Sequence, residues 1–206
     1  MAVNEVILKW NAGKNLIRII FIFCAIIFIS TSCSNRGTPK PRGYFRIEFP
    51  EKEYVRLDSV MPYSILYPKY SRIETDLSSK SEPHWINVEF PRFNATIHIT
   101  YKNLESEDIY EILEDIVRLS FSHTVKADAI EEHIYIDDEY DVFGIVFEVK
   151  GNAASPLQFF ATDSVKHLIR GSLYFNTVPN RDSLSPVIDF LTEDVFLLME
   201  NIRWKY

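Results

Sequence analysis

The sequence predicts an α+β fold, with a single domain built on a mainly antiparallel sheet and two main packed helices. Three observations lead to this prediction. Short segments alternate apolar and polar residues, one amphipathic helical stretch interrupts them near the middle of the chain, and a second closes it. Strands, a helix, further strands and a final helix in that order indicate helices packed against an antiparallel sheet.

The first predicted strands lie before residue 102. Residues 44–49 and 63–67 have an extended pattern, although neither segment is long. In WINVEF (85–90) and ATIHITY (95–101), every second residue is apolar, which is typical of half-buried strands. The segment PRFN (91–94) between them has the composition of a turn, so these two strands are predicted to form a hairpin.

A helix is predicted next, followed by four more strands. Ser106 can cap the helix, and acidic residues follow it in the first turn. The apolar residues recur at helical spacing: Ile109, Ile112, Leu113, Ile116 and Leu119. The strands are predicted at 133–136, 142–149, 156–162 and 167–176. The second is apolar on both faces, which favours a central position, and the last two are close enough in sequence to pair antiparallel.

The closing helix is predicted to begin at Ser185. Ser185 can act as the cap and Pro186 suits the first helical position. Apolar residues then recur every three or four positions: Ile188, Leu191, Val195, Leu198 and Ile202. This stripe predicts that one face of the helix packs on the sheet, and Trp204 ends the run.

Residues 1–32 are predicted to be a lipoprotein signal peptide. Basic residues precede the apolar run IIFIFCAIIFI (19–29), which spans roughly 16 Å as a helix at ~1.5 Å per residue and is short for a bilayer core of ~30 Å. Small residues then lead to Cys33, a pattern that resembles the lipobox of bacterial lipoproteins, in which the cysteine carries the lipid. An uncleaved signal anchor is the alternative.

Cysteine usage restricts the chemistry of the rest of the chain. Cys24 lies inside the signal segment, and Cys33 is the predicted site of lipid attachment. Because the chain has only these two cysteines, the mature body is predicted to contain no disulfide, no thiolate metal site and no cysteine nucleophile.

Residues 33–43 are predicted to be a lipid-anchored basic tether, and residues 44–206 a globular domain. The tether contains two Pro, two Gly and three cations but no acid. The domain keeps 16 of the 22 basic and 28 of the 29 acidic residues, a formal net charge of −12. Nucleic-acid binding requires a basic footprint, so no nucleic-acid partner is expected.

Few residues form a recognisable chemical motif. None of the five His has the spacing of a helical metal pair, and neither an HExxH motif nor a phosphate-binding glycine loop is present. Asp163, Ser164 and His167 are close in sequence and could form a hydrolytic triad, although bonds from Asp163 and Ser164 to local backbone groups are the favoured interpretation. An acidic turn at 137–141 resembles a calcium loop only loosely. No cofactor, metal or catalytic residue is predicted.

Several polar residues interrupt apolar segments and are candidates for an interaction surface. A charge within an apolar strand must reach solvent or a partner. Arg170 is the clearest case of such a charge. The candidate residues are Lys126, Asp128, Asn152, Ser155, Asp163, Ser164, His167 and Arg170. Each is either an internal hydrogen-bonding residue or part of a contact surface, and the first is favoured for Asp128 and Asn152.

Long ordered segments of the chain resemble the gliding-motility lipoprotein GldD family of the Bacteroidetes. The first is TPKPRGYFRIEFPEKEY, directly after the lipobox cysteine. The others are EPHWINVEFPRFNATIHITYK, HTVKADAI, GNAASPLQFF, TDSVKH, RGSLYFN and PNRDSLSPVIDF. The resemblance implies an envelope accessory protein needed for gliding and linked to type IX secretion, with protein partners in that machinery. It implies no enzymatic activity. The order of elements is also similar to that of the Mog1/PsbP-like fold.

Three functions are therefore considered. The first is a non-catalytic interaction module, in which Ser164→Ala and His167→Ala are expected to be nearly silent. The second is a periplasmic hydrolase that uses Ser164, His167 and Asp163. The third is a small-ligand or glycan binder, suggested by the aromatic content and by the polar residues around His98 and Arg170.

The residues after Cys33 include no acids, unlike those of many surface-exposed Bacteroidetes lipoproteins, so the protein is expected to face the periplasm.

Overall fold

The computed structural model describes residues 46–57, 59–76, 82–104, 109–122 and 127–205. These residues belong to one compact unit, Arg46–Tyr206. Within the described ranges, ten strands and two α-helices confirm the predicted α+β class. None of the described helices is both long and apolar enough to span a membrane. The predicted signal peptide, Cys33, the tether and the cap residue Ser106 lie outside the described residues.

The elements occur in the order strands, helix, strands, helix. The strands are β1 (Tyr54–Leu57), β2 (Tyr63–Pro68), β3 (Arg72–Thr75), β4 (Ile86–Phe90), β5 (Ala95–Asn103), β6 (Ala127–Asp137), β7 (Val142–Gly151), β8 (Leu157–Thr162), β9 (His167–Phe175) and β10 (Arg203–Trp204). The helices are α1 (Ile109–Ser122) and α2 (Arg181–Glu200).

Seven strands form the main sheet in the order β3-β4-β5-β9-β8-β7-β6, and every neighbouring pair is antiparallel. The predicted β4–β5 hairpin and the antiparallel β8–β9 pair are confirmed. The predicted central strand, β7, is an interior strand next to the edge strand β6. The middle position belongs to β9, because β5 pairs with β9 across the whole length of both strands.

A second sheet has three strands in the order β1-β2-β10. The prediction of an extended segment at 63–67 is confirmed by β2, whereas the described residues 46–49 form no strand. Strands β1 and β3 were not predicted because each has only four residues and neither is buried throughout. β10 pairs with β2 through Arg203 and Trp204, so the end of the chain completes this sheet.

One face of the main sheet holds the larger core. Helix α2 packs against β2, β6 and β7, and alternate residues of the main strands point into this core. Its fully buried members include Tyr63, Phe90, Ile97, Ile99, Phe159, Ile169 and Leu191. Gly171 leaves room for the ring of Phe159, its cross-strand neighbour, since an ideal Cβ on Gly171 would lie 2.1 Å from the ring carbon Cζ.

Helix α1 covers part of the opposite face. A smaller core lies under it and contains Leu104, Ile116, Phe147, Phe160 and Leu168, with Ile112 and Leu113 packed against them. The amphipathic pattern that predicted this helix therefore corresponds to a real packing face. The polar residues of β4, β5 and β9 lie on the same side of the sheet, beside α1.

Helix α2 begins at Arg181, four residues before the predicted start at Ser185. Pro186 consequently lies inside the helix. The N-terminal end is supported from a distant loop, because the amide oxygen Oδ1 of Asn152 accepts a hydrogen bond from the Arg181 backbone N–H at 2.9 Å. A cap supplied by a residue 29 positions away cannot be identified from the local pattern of Ser and Pro.

A buried carboxylate joins helix α2 to the second sheet. Asp194 is 2% exposed and accepts hydrogen bonds from Tyr54 Oη at 2.8 Å, from Lys52 Nζ at 3.1 Å and from Tyr70 Oη. The Lys52 ammonium also donates to the Phe190 carbonyl oxygen at 2.8 Å and lies 4.3 Å from the centre of that ring. Burial, and secondarily these contacts with Asp194, raises the pKa of Tyr54 and Tyr70, so both remain neutral hydrogen-bond donors.

We predict that Asp194→Ala lowers the free energy of unfolding by about 3–5 kcal/mol. Removing one partner of a buried pair leaves the Lys52 ammonium and two phenol groups without their acceptor. Glu193→Ala is a matched control, because Glu193 lies 2.8 Å from the same Lys52 ammonium but its side chain is 73% exposed. The control should change stability by about 1 kcal/mol or less. Chemical denaturation of the full chain in mild detergent measures both, and equal losses would contradict this role of Asp194.

Candidate functional site

The candidate triad segment is a connection between β8 and β9 that its own side chains stabilise. The carboxylate oxygen Oδ1 of Asp163 accepts the backbone N–H groups of Val165 at 3.0 Å, Lys166 at 2.8 Å and His167 at 2.8 Å. Ser164 has a left-handed backbone, with φ at 64°, and its N–H donates to Thr162 Oγ1 at 2.9 Å. Asp163 thus bonds the local backbone, as the favoured interpretation expected.

His167 belongs to the core rather than to a surface cleft with Ser164. It is 1% exposed, its Nδ1 lies 2.8 Å from Tyr101 Oη, and its ring stacks on Trp204 at 5.3 Å with an interplanar angle of 11°. Ser164 is exposed, and within the described part of the chain no hydrogen bond joins its side chain to His167. We therefore no longer expect His167→Ala to be nearly silent, because it would leave a cavity beside Trp204.

Burial and backbone contacts act on Asp163 in opposite directions. Burial alone would raise the pKa of its carboxyl group, but the N–H groups of His167, Lys166 and Val165, together with the nearby His167 ring, lower it below the ordinary value. Asp163 is therefore an anion that holds a tight turn, and its lone pairs are directed at the backbone.

Arg170 lies on the face of the main sheet that α1 partly covers. The strand register places it opposite Thr100 on β5 and Phe160 on β8, neither of which is charged. Its guanidinium Nη2 is 3.5 Å from Gln158 Oε1. Burial lowers the pKa of Arg170, and only Tyr174 acts in the other direction. Among the described residues, no carboxylate forms an ion pair with this guanidinium.

A cavity of about 210 Å³ opens beside Arg170. The apolar part of its wall comes from both the sheet and α1, and the polar part comes mainly from β5. The lining residues are Glu82, Trp85, Thr100, Tyr101, Lys102, Ile112, Ile116, Leu168 and Arg170. The indole Nε1 of Trp85 donates to the Tyr101 carbonyl oxygen at 3.0 Å, so the aromatic wall is held in place. The face around Arg170 is thus partly covered and not fully packed.

A second cavity, of about 380 Å³, lies where β5, β9 and the chain end meet. His84, Tyr101, His167 and the acidic Glu82 are among the residues that line it. Lys166 and Lys205 contribute positive charge, although each has other contacts. The exposed Ser164 is not among the residues that line this cavity.

The remaining candidate residues do not form one surface with this region. Asp128 is exposed on the edge strand β6, and Lys126 lies outside the described residues. Asn152 supports the start of α2, and the buried Ser155 donates its hydroxyl to the Leu157 carbonyl oxygen at 3.1 Å. Asn152 and Ser155 precede β8 whereas the turn around Asp163 follows it, so the two groups lie at opposite ends of that strand.

Two acidic clusters are explained by local interactions. Asp137 Oδ1 accepts the N–H groups of Glu139 and Tyr140, which makes the acidic segment 137–141 a hairpin turn. Glu131, His133 and Glu148 approach one another on β6 and β7, a grouping that sequence spacing did not suggest. The Lys150 ammonium binds Glu148 and lies 3.0 Å from Glu131, so a cation of the protein already occupies the position between the carboxylates.

Sequence reasoning missed the residues that organise this region. Tyr101, Trp85 and Trp204 were assigned to core positions or left unassigned, and Asp194 was not singled out. One signal was available for Asp194, because it is an acid between Leu191 and Val195 in the apolar stripe of α2. The cavity beside Arg170 depends on how α1 crosses the sheet, which no local pattern specifies.

The described residues define an α+β domain in which Asp163, Ser164 and His167 do not assemble into a triad. The sequence matches the family described as "Gliding motility lipoprotein GldD" over residues 34–204. The chain therefore belongs to the GldD family of gliding-motility lipoproteins, as its sequence segments indicated. Among curated proteins, none matches the chain.

One solved structure similar to this chain is that of cyanobacterial PsbP (CyanoP) from Synechocystis sp. PCC 6803. The two share 10% sequence identity with a TM-score of 0.48, and the similarity covers 84% of this chain and 98% of CyanoP.

We predict that Asp163 makes folding stability depend on acidic pH. Because its pKa in the folded state lies below the ordinary value of 3.8, the carboxylate contributes stability that is complete above that value and is lost as the pH falls through the folded pKa. Asp163→Asn keeps an amide oxygen as acceptor but does not titrate. Between about pH 6 and about pH 3, the wild type should therefore lose more unfolding free energy than Asp163→Asn. Parallel losses in denaturation curves would contradict the prediction.

Proposed function

We propose that this protein is a non-catalytic, lipid-anchored component of the gliding apparatus that acts by contacting partner proteins in the periplasm. We also propose that its role is linked to type IX protein secretion. The first proposal rests on the observation that the side chains of Asp163, Ser164 and His167 do not form a triad. Asp163 is bonded to three backbone N–H groups and His167 is buried against Tyr101 and Trp204, so neither supports Ser164 as a nucleophile.

Membership of the GldD family supports the envelope location. The family match begins at residue 34, immediately after Cys33, where the lipobox pattern predicts that the mature chain starts. A lipid on Cys33 followed by a tether of about ten residues would allow the domain to move up to ~33 Å from the membrane, at ~3.3 Å per extended residue. The absence of acidic residues at 34–37 supports a domain that faces the periplasm.

The interaction role is tested by complementing a deletion strain. Deletion should abolish spreading on surfaces and reduce export of type IX cargo, and Ser164→Ala should restore both to wild-type levels. Ser164→Ala removes the only hydroxyl that the candidate triad offers while leaving the backbone bonds of the turn in place. If this variant behaves like the deletion at normal protein abundance, the non-catalytic proposal is wrong. Normal export in the deletion strain would refute the secretion link alone.

The anchor is tested separately. Cys33→Ala should release the protein from the membrane fraction during a carbonate wash, because the lipid is then absent. The wild type should remain bound, since more than one acyl chain, at ~0.8 kcal/mol per buried CH₂, gives lasting attachment. Equal retention of the two proteins would favour an uncleaved signal anchor.

A small-ligand binder remains the second candidate function, and one observation favours it. The cavity beside Arg170 combines apolar walls with a charged group, which is the arrangement of small-molecule sites. This function is compatible with a role in gliding, because a ligand could act on the same domain that contacts protein partners.

A further inference from the structure

Arg170 is an unusual residue in this environment. The domain has many acidic residues, yet this partly buried guanidinium forms no ion pair with a described carboxylate. Its cross-strand neighbours are neutral, and Gln158 Oε1 approaches only to 3.5 Å. Placing a cation in such a position costs free energy that the long Gln158 contact and the nearby Tyr174 offset only in part. A bound anion would offset it.

The cavity next to Arg170 is suited to a ligand with an apolar body. Trp85 and Leu168 come from the sheet side, and Ile112 and Ile116 lie one helical turn apart on α1. Ile116 and Leu168 belong to the smaller core, so this wall is part of the packed interior. The Trp85 indole is fixed by its bond to the Tyr101 carbonyl oxygen. Walls that are rigid before binding reduce the ordering cost of binding.

The size of the cavity limits the ligand. Its volume of about 210 Å³ lies below the ~300–1,000 Å³ typical of drug-sized ligands. It corresponds to about seven water molecules, at roughly 30 Å³ each. A small acid with one ring or one branched chain is therefore a better fit than a long acyl chain.

The charges around the cavity favour an anion. Glu82 and Lys102 also line it, one acidic and one basic, and both have further contacts. Their charges roughly balance, which leaves the guanidinium of Arg170 as the unbalanced group. A guanidinium binds a planar carboxylate through two parallel hydrogen bonds, and Thr100 on the opposite strand offers a further hydroxyl at the cavity wall.

We propose that this cavity binds a small carboxylic acid with an apolar body, with the carboxylate on Arg170 and the apolar part between Trp85 and helix α1. The proposal rests on the small-ligand function named above and specifies its ligand, and it does not depend on the role in gliding. A free acid and the C-terminal residue of a polypeptide share this chemistry, because each offers one carboxylate beside one apolar group of this size.

The test uses calorimetric titration of the purified full chain in detergent with 3-phenylpropionate. The neutral analogue 3-phenylpropanamide has the same apolar body and controls for partition into micelles. The acid should bind saturably, and at least about tenfold more tightly than the amide, because only the acid can form charge-assisted hydrogen bonds with the guanidinium. A tripeptide that ends in phenylalanine with a free carboxylate distinguishes the two sources. Tighter binding of the peptide would assign a chain terminus, and tighter binding of the free acid a small metabolite.

Different substitutions test the charge of Arg170 and the space in the cavity separately. Arg170→Gln should weaken binding of the acid by about tenfold or more, and Arg170→Lys should recover only part of it, because the ammonium lacks the planar fork. Arg92→Gln, which removes an exposed arginine in the β4–β5 turn, is the matched control and should bind as the wild type does. Ile112→Phe should block binding by filling the cavity while Arg170 remains in place.

Thermal unfolding distinguishes a binding residue from a structural one. If Arg170 serves a ligand, Arg170→Gln should unfold at the same temperature as the wild type or higher without ligand, because a poorly solvated cation has been removed. A clear decrease in unfolding temperature would instead assign Arg170 to the fold and overturn the proposal. Equal affinity for the acid and the amide, or unchanged binding by Arg170→Gln, would also overturn it.

Discussion

The buried carboxylate of Asp194 is the interaction on which the arrangement of the domain depends. It is 2% exposed and accepts hydrogen bonds from one ammonium and two phenol groups, which come from two chain segments that precede the main sheet. Helix α2 also connects to the second sheet at its C-terminal end, where β10 follows it and Arg56 Nη1 donates to the Asn201 carbonyl oxygen at 3.2 Å. The carboxylate of Asp194 adds a second directional attachment, from the body of the helix to β1 and to the turn after β2.

The two faces of the main sheet have different roles as a result. One is closed by α2 and the second sheet, and its residues form the larger core. The other receives α1, which covers only part of it and leaves Arg170 beside a cavity. The polar residues of β9 thus lie in different environments. His167 at the start of β9 is a core residue held by Tyr101 and Trp204, whereas Arg170, three positions later, is partly buried in the wall of a cavity.

The sequence predicted those features that arise from local patterns. Alternation along residues 85–101 predicted the β4–β5 hairpin and its buried face, and the apolar stripe of α2 predicted the helix and most of its packing surface. The start of α2 was misplaced because its support comes from Asn152, in a loop two strands earlier. The central position of β9 and the cavity beside Arg170 were not predictable, because both depend on long-range pairing and on the path of α1.

The candidate site residues also divide into those with local partners, which the sequence predicted, and those with distant partners, which it did not. Asp163 was correctly interpreted as a residue that bonds its own backbone, since Asp in a short connection has that local option. His167 could not be assigned, because its partners Tyr101 and Trp204 are 66 residues earlier and 37 residues later in the chain. Arg170 was recognised as unusual from its strand pattern, and in the structure its cross-strand neighbours are uncharged and no described carboxylate pairs with it.

The contacts of Lys52 and Phe49 have a mechanical consequence. Phe49 stacks on Phe190 at 4.4 Å, and Lys52 binds both the Phe190 carbonyl oxygen and Asp194, so the first described segment is fastened to the middle of the last helix. Tension applied along the chain from its amino-terminal side would therefore pass in part to α2 through an ion pair and an aromatic stack. The rest would pass to the core and to the β4–β5 turn, which Ile47 and Phe49 also contact.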